Sequence, residues 1–206
     1  MKHFLITITL LLFSTFSQGQ YVKSLNETAE QFATRVKPDH ATLTHKVLAV
    51  QWNSTPVILA FYQQHFKFSP VDDPDQANYT RIIATAFVQT DSNHFNKLLI
   101  DTIDSDGGDP NIECVFFANA DKDAAREIII IASWQQQHYD VEGTLYSTYV
   151  YDNLQTTPLA KLILKKNIST RLSGGCDCEW RDGRKRKAPY QKAADVRIAL
   201  KKMGYK

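Results

Sequence analysis

The sequence predicts a mainly β fold of the α+β class, an antiparallel β-meander of about seven or eight strands with an N-terminal helix and a docked C-terminal helix. Two observations lead to this prediction. Short segments rich in β-branched and aromatic residues recur through the middle of the chain, and turns of Asp, Asn, Gly and Pro separate them. Segments with helical spacing of apolar residues stand before and after them.

The start of the chain has the pattern of a secretory signal peptide. Lys2 precedes an apolar run over residues 4–13, and small residues follow at Ser17 and Gly19. The run is too short for a permanent membrane-spanning helix. We therefore expect cleavage after Gly19, so that residues 1–19 are a signal peptide and the protein is exported, either periplasmic or secreted. The alternative is an unprocessed N-terminal core helix.

One globular domain is expected over residues 20–206, with no transmembrane segment after processing. Its first element is a helix, because Ser24 and Glu27 form a capping box and Pro38 ends the segment. The apolar side chains that share one face of this helix are Leu25, Ala29, Phe32 and Val36.

Apolar runs separated by turn residues predict the strands. Asn53-Ser54 lies between the first two runs and indicates a hairpin. The predicted strand segments are residues 46–52, 55–62, 79–90, 96–103, 112–118, 127–134, 143–152 and 159–167.

The C-terminal part of the chain differs in composition. Residues 169–190 are polar, basic and glycine-containing, and we expect them to be irregular. A helical stripe then follows, with Gly204 placed to end the helix. The apolar residues of this stripe are Val196, Ala199, Leu200 and Met203.

Charge divides the chain at about residue 161. Residues 20–160 contain nine Lys/Arg and eighteen Asp/Glu, whereas residues 161–206 contain fourteen Lys/Arg and four Asp/Glu. The basic extension either docks on the acidic body or meets an external anion. The residues predicted to meet a partner in the second case are Arg184, Lys185, Arg186 and Lys187. Export and the lack of a recognisable nucleic-acid module argue against a nucleic-acid partner.

The three cysteines are Cys114, Cys176 and Cys178. An oxidising compartment permits a disulfide, and a bridge from Cys114 to one member of the close pair would tie the tail to the body. A bridge within the pair is expected to be cramped. One thiol remains in either case. Zinc is a poor alternative because the chain lacks a second close cysteine pair or a spaced histidine pair.

An acidic segment precedes the isoleucine-rich run. Asn119, Asp121 and Asp123 occupy the first, third and fifth positions of a loop, and Glu127 occupies the ninth. Alternating oxygen donors in a tight loop suit a hard cation such as Ca²⁺. The order resembles the calcium loops of FG-GAP and VCBS repeats over residues 119–131, and this resemblance implies Ca²⁺ as the cofactor.

Two observations limit that resemblance. Ala124 stands at the sixth position, where the family usually has glycine, and the sequence contains one clear copy of the loop, whereas a propeller has several. The alternative is an acidic turn without an ion. A second acidic segment, residues 102–113, partly matches an EF-hand loop, but Thr102 begins it and Pro110 interrupts it.

Aromatic residues are frequent near the end of the strand region. Tyr149 and Tyr151 fall on one face of their strand and Tyr146 on the other, with Trp134 on the preceding strand. Packing in the core accounts for such residues, and an aromatic patch for a protein or glycan partner, formed by Trp134, Tyr149 and Tyr151, is the alternative.

No catalytic residue is assigned. The chain lacks a nucleophile elbow, a zinc-protease motif and a P-loop. His138, with Asp140 and Glu142 nearby, is the candidate for a His/carboxylate pair. We therefore expect an exported non-catalytic binding protein of the interaction, inhibitor or immunity type, with an unknown protein or glycan partner. The alternatives are a calcium-stabilised adhesion or glycan-binding module and a hydrolase.

Overall fold

The structure is a computed structural model that describes residues 20–75, 77–152, 154 and 161–205. The predicted signal peptide lies outside these residues, as does the start of the predicted strand 159–167. The described part is built of eleven strands and three helices, with antiparallel pairing throughout both sheets, and the predicted fold class is confirmed.

The first sheet, sheet A, has the order β1-β6-β5-β4-β2, and β3 also pairs with β4. Its strands are β1 (Gln20–Val22), β2 (Ala41–Leu43), β3 (Leu48–Trp52), β4 (Thr55–Phe66), β5 (Tyr79–Gln89) and β6 (His94–Asp104). The predicted hairpin at Asn53-Ser54 joins β3 and β4. Both residues have positive φ, 47° and 70°, which suits the right-handed twist of a two-residue hairpin.

The second sheet, sheet B, has the order β11-β10-β9-β8-β7, so each strand pairs with its neighbour in sequence. Its strands are β7 (Pro110–Ala118), β8 (Glu127–Gln137), β9 (Val141–Tyr151), β10 (Gly175–Trp180) and β11 (Lys185–Arg186). The helices are α1 (Ala29–Arg35), α2 (Lys166–Leu172) and α3 (Ala193–Lys202).

The two sheets pack face to face around one apolar core. Leu59, Phe61 and Ile82 from sheet A meet Ile128 and Ile130 from sheet B, and all five side chains are fully buried. Strand alternation sends every second side chain of each sheet to this inner face. The inter-sheet core is therefore the largest apolar cluster in the described part of the chain.

Helices cover the outer faces of both sheets. Phe32 of α1 packs on the outer face of sheet A, and the Tyr62 hydroxyl donates to the Ala33 carbonyl of that helix at 2.8 Å. On sheet B, Ile168 of α2 and Leu200 of α3 cover Ile129 and other outward residues of β7, β8 and β9. The resulting order of layers is helix, sheet, sheet and helices.

The N-terminal helix begins later than predicted. Its N-cap is Thr28, whose side chain accepts from the Gln31 amide while the Gln31 side chain accepts from the Thr28 amide. The Ser24 amide does donate to Glu27, but this contact precedes the helix. The predicted capping box at Ser24 is therefore only half formed, because the Glu27 amide donates to the Ser24 carbonyl and not to its hydroxyl, and the helix starts at the complete box of Thr28 and Gln31.

The region after residue 160 contains more regular structure than predicted. The last predicted strand is wrong in its described part, because only isolated bridges form at Lys161 and Leu164 before α2 begins. Helix α2 forms because Ile168 and Leu172 face sheet B. The Ser169 hydroxyl accepts from the Val150 amide at 3.0 Å, beyond the residues of β9 that pair with β10. The predicted irregular tail holds β10 and β11, and the final helix forms as predicted.

The cysteines are placed differently from the expected bridge. Cys176 and Cys178 lie next to each other on β10, with Cα atoms 5.2 Å apart, a placement that is compatible with a disulfide between them, and Cys114 is a free thiol. Both paired cysteines share a face of β10 with Leu145 of β9, which faces the inter-sheet core. Cys114 faces the opposite side of sheet B, toward α3. Sheet B therefore separates Cys114 from the pair.

Gly143 lets β9 and β10 approach closely beside this cysteine pair. Its φ is +149°, and a side chain there would collide with the Asp177 carbonyl oxygen and, at 2.6 Å, with the Cys178 Cα. Only glycine fits without displacing the strand.

No helix in the described ranges combines the length and apolar character needed to cross a membrane.

Replacing Ile130 by Ala should lower the free energy of unfolding by about 2–5 kcal/mol, because it leaves a cavity in the inter-sheet core. Ile130 is 0% exposed, whereas Ile198 on α3 is 55% exposed and serves as the control. Urea unfolding of both variants measures the difference. A loss below about 1 kcal/mol for Ile130→Ala, or an equal loss for Ile198→Ala, would contradict the described core.

Candidate metal centre

The turn between β7 and β8 brings three carboxylates together. Oxygen atoms of Asp121, Asp123 and Glu127 all lie within 4.8 Å of one another. The fourth predicted ligand, Asn119, begins the same turn. Three acidic oxygens at this spacing could surround a single cation.

Successive side-chain to backbone hydrogen bonds curl the turn. The Asn119 Oδ1 accepts from the Asp121 amide at 3.2 Å, and the Asp121 Oδ1 accepts from the Asp123 amide at 2.8 Å. The Asp123 Oδ1 accepts from the Ala125 amide at 2.8 Å. Asn and Asp form such local bonds readily, which is why alternating Asx residues produce a compact loop.

The backbone at Ala124 does not have a positive φ. The loop of this chain therefore does not require the glycine that the resembling repeats usually carry at that position, and alanine fits the turn.

Glu127 is a buried carboxyl group at the base of the turn. Its side chain is 0% exposed, and its Oε2 accepts from the Ala120 amide at 2.5 Å. Its Oε1 has no hydrogen-bond partner among the described residues. Burial raises the pKa of Glu127 to about 7, and the nearby carboxylates of Asp121 and Asp123 add to this, although the Ala120 amide and Lys165 oppose it.

Lys165 brings a positive charge from outside the turn into an ion pair with it. Its Nζ lies 2.7 Å from the Asp121 Oδ2 and 3.4 Å from the Asp152 Oδ1. Burial opposes the charge on Asp121, but the bonds from Lys165 and the Asp123 amide outweigh it, so the pKa of Asp121 is lowered. Lys165 therefore neutralises one side of the acidic cluster and connects it to the start of α2.

Sheet A fixes the other end of the turn. The Trp52 Nε1 donates to the Arg126 carbonyl at 2.6 Å, and the Asn53 Nδ2 donates to the same oxygen at 3.0 Å. The Asn53 Oδ1 accepts from the Arg126 amide at 2.9 Å. The β3–β4 hairpin thus binds the residue immediately before Glu127 and holds the turn against both sheets.

The predicted basic cluster lies at the surface. Arg184, Lys185, Arg186 and Lys187 are all exposed. Arg184 pairs with Asp182 and Lys185 with Glu179, which are acids of the same tail. Among the described residues, the ion pairs between the tail and the acidic body come from Lys161 and Lys165, which were not among the residues predicted to meet a partner.

The predicted aromatic patch does not form on the surface. Trp134 and Tyr151 are buried in the inter-sheet core, and Tyr149 packs against the same core. Tyr149 and Tyr151 share a face as predicted and stack at 6.4 Å, while Tyr146 lies on the other face. Because the inner face of sheet B is covered by sheet A, these residues serve packing rather than a partner.

The remaining candidates lie apart from the turn. His138, Asp140 and Glu142 line one surface pocket, but among the described residues no side-chain hydrogen bond joins them, and the exposed His138 contacts the Gln136 side chain at 3.3 Å. Glu113, the last residue of the EF-hand-like segment, lies in β7 and accepts from Ser133. The turn that follows Asp104 connects the two sheets, and its carboxylates do not cluster around one site among the described residues.

Sequence reasoning missed the residues that reach the turn from elsewhere. Lys165, Asp152, Trp52 and Asn53 are all distant from it in sequence, and no local pattern marks them. Only the pairing of β8 with β9 and the contact of the β3–β4 hairpin with β8 could have revealed them.

Comparison with known proteins finds no matching family model, no matching curated protein and no matching solved structure.

In metal-free protein, the stability should fall as the pH rises from about 5 to about 7. The folded protein keeps a proton on Glu127 up to a pKa of about 7, whereas the unfolded chain releases it near the ordinary value of 4.5. Below that value both states are protonated and the effect is absent. The cost above neutral pH should be roughly 1–3 kcal/mol.

Urea unfolding in EDTA between pH 4.5 and 8 measures this effect as the difference between the wild type and Glu127→Gln. The Glu142→Gln variant is the control, because Glu142 is exposed. Parallel stability curves for the wild type and Glu127→Gln would show that Glu127 does not titrate abnormally.

Proposed function

We propose that this chain is an exported, non-catalytic binding protein whose β7–β8 turn binds Ca²⁺. The observation that carries the cation site is the Glu127 carboxyl group, which lies within 4.8 Å of two further carboxylates and whose buried Oε1 has no hydrogen-bond partner among the described residues. A buried oxygen of this kind is costly unless a proton or a cation satisfies it.

The donor set favours a hard cation. Asp121, Asp123 and Glu127 offer only oxygen atoms, and the described cluster contains no sulfur or imidazole. Calcium accepts six to eight oxygen ligands with flexible geometry, whereas zinc prefers nitrogen and sulfur. Asn119 and the backbone carbonyls of the same turn offer further oxygen ligands for a cation.

The position of the site supports a stabilising role. The turn is attached to sheet A through Trp52 and Asn53 and to α2 through Lys165. A cation here would bring the acidic turn, the buried end of β8 and these attachments into one rigid unit. No nucleophile or paired histidine adjoins the carboxylates among the described residues, which supports binding rather than catalysis.

Calcium titrated into EDTA-treated and dialysed protein should give a saturable heat by isothermal titration calorimetry. At one hundred times the Kd it should stabilise the fold by about 2.7 kcal/mol and raise the Tm by roughly 5–10 °C. Glu127→Gln should abolish both effects, and Glu142→Gln should leave both unchanged. No heat and no change in Tm for the wild type would refute the cation site.

Lys165→Gln should strengthen calcium binding about fivefold to tenfold, because it removes a positive charge that occupies the Asp121 carboxylate. Lys166→Gln removes the same charge from an exposed neighbouring residue and is the matched control. Calorimetry on both variants at low salt measures the two Kd values. Equal effects of the two substitutions would show that Lys165 does not compete with the cation.

A further inference from the structure

A cleft lies between the β7–β8 turn and α3, on the surface of sheet B. It has a volume of about 880 Å³, and its walls include Phe117, Arg126, Arg197, Lys201 and Tyr205. Clefts of about 300–1,000 Å³ commonly hold small molecules rather than folded partners. We propose that this cleft binds a small amphipathic carboxylate, that is, one carboxylate attached to an aliphatic or aromatic body.

The charge of the cleft favours an anion. Arg126, Arg197 and Lys201 line it, and Asp123 is the one acidic residue among its described walls. Arg126 and Lys201 are exposed, and neither side chain forms an ion pair with the described residues. Cations that converge without carboxylate partners create a positive potential that attracts a negative group.

Arg197 shows that one of these cations is held in place. Its guanidinium donates to the Phe117 carbonyl at 2.9 Å and lies 4.9 Å from the centre of the Phe116 ring. A guanidinium presents several N–H groups in one plane, so bonding to one carbonyl leaves other donors for a carboxylate. The preformed position lowers the entropy lost on binding.

The walls between the cations are apolar. Ala118, Ala124 and Leu200 line the cleft together with the partly buried Tyr205, whereas Phe117 lines it beside its backbone carbonyl and turns its ring toward Trp52 in the inter-sheet core. An inorganic anion would leave these walls in water, whereas the body of an amphipathic carboxylate would cover them. This combination distinguishes the proposed ligand class from simple ions and from neutral lipids.

The cleft and the cation site are separate proposals. Asp123 lines the cleft and also belongs to the carboxylate cluster, whereas Arg126 and Lys201 line the cleft alone. The carboxylate cleft should therefore bind its ligand in EDTA, where the turn holds no cation. Its test can fail or succeed independently of the calcium titration.

Isothermal titration in EDTA with decanoate, below its micellar concentration, tests the proposal. Decanoate should bind with one site per chain, and acetate and decan-1-ol should each bind at least tenfold more weakly. Arg126→Gln combined with Lys201→Gln should weaken decanoate binding about tenfold. Lys202→Gln is the control, because Lys202 is exposed on the same helix and is not among the residues that line the cleft.

Loss of binding in EDTA, equal binding of decan-1-ol, or an equal effect of Lys202→Gln would each overturn the proposal. Thermal melting of the double variant checks folding, and a second double variant, Arg126→Lys with Lys201→Arg, keeps the charge. That variant should retain decanoate binding within about threefold, and failure to do so while folded would also contradict the charge-based recognition.

Discussion

The burial of β8 on both of its faces is the constraint on which the rest of the structure depends. Ile128 and Ile130 point into the inter-sheet core, while Ile129 and Ile131 point under the helices. Full burial of each such side chain contributes roughly 2–3 kcal/mol relative to exposure. A strand that is apolar on both faces needs a cover on each, which explains why sheet A lies on one side and α2 and α3 on the other.

The same constraint produces the acidic site. Glu127 is the first residue of β8, and the strand enters the interior at this point, so its carboxyl group is buried with its backbone. The residues before it form a turn whose oxygens already bond to its own amides. The buried carboxyl group must therefore be satisfied by a proton, by Lys165 or by a bound cation. The cation site thus arises where an apolar strand meets an acidic turn.

The local patterns predicted most of the elements correctly. Strand alternation, turn residues and the stripe of the last helix are short-range signals, and the seven strands from β3 to β9 follow them. Helix α2 was missed because it begins at the end of a segment predicted as a strand and continues into one predicted to be irregular, and the contact of Ile168 and Leu172 with sheet B decides its conformation. Strand β10 was missed because a glycine-containing, charged segment has low strand propensity, although pairing with β9 accommodates it.

The candidate site could be predicted only in part for the same reason. The spacing of Asn119, Asp121, Asp123 and Glu127 is local and visible in the sequence. The burial of Glu127 and the approach of Lys165 depend on how distant segments assemble. The disulfide pairing likewise depends on which face of sheet B each cysteine occupies, and a sequence does not state this before the register of its strands is known.

The close approach of β9 and β10 at Gly143 has a consequence for the evolution of the sequence. Because any side chain at this position would push β10 away from β9, a substitution here would disturb both the cysteine pair of β10 and the inter-sheet core beneath it. Distant homologues that keep this architecture should therefore retain glycine at the equivalent position, even where their surfaces have diverged beyond recognition.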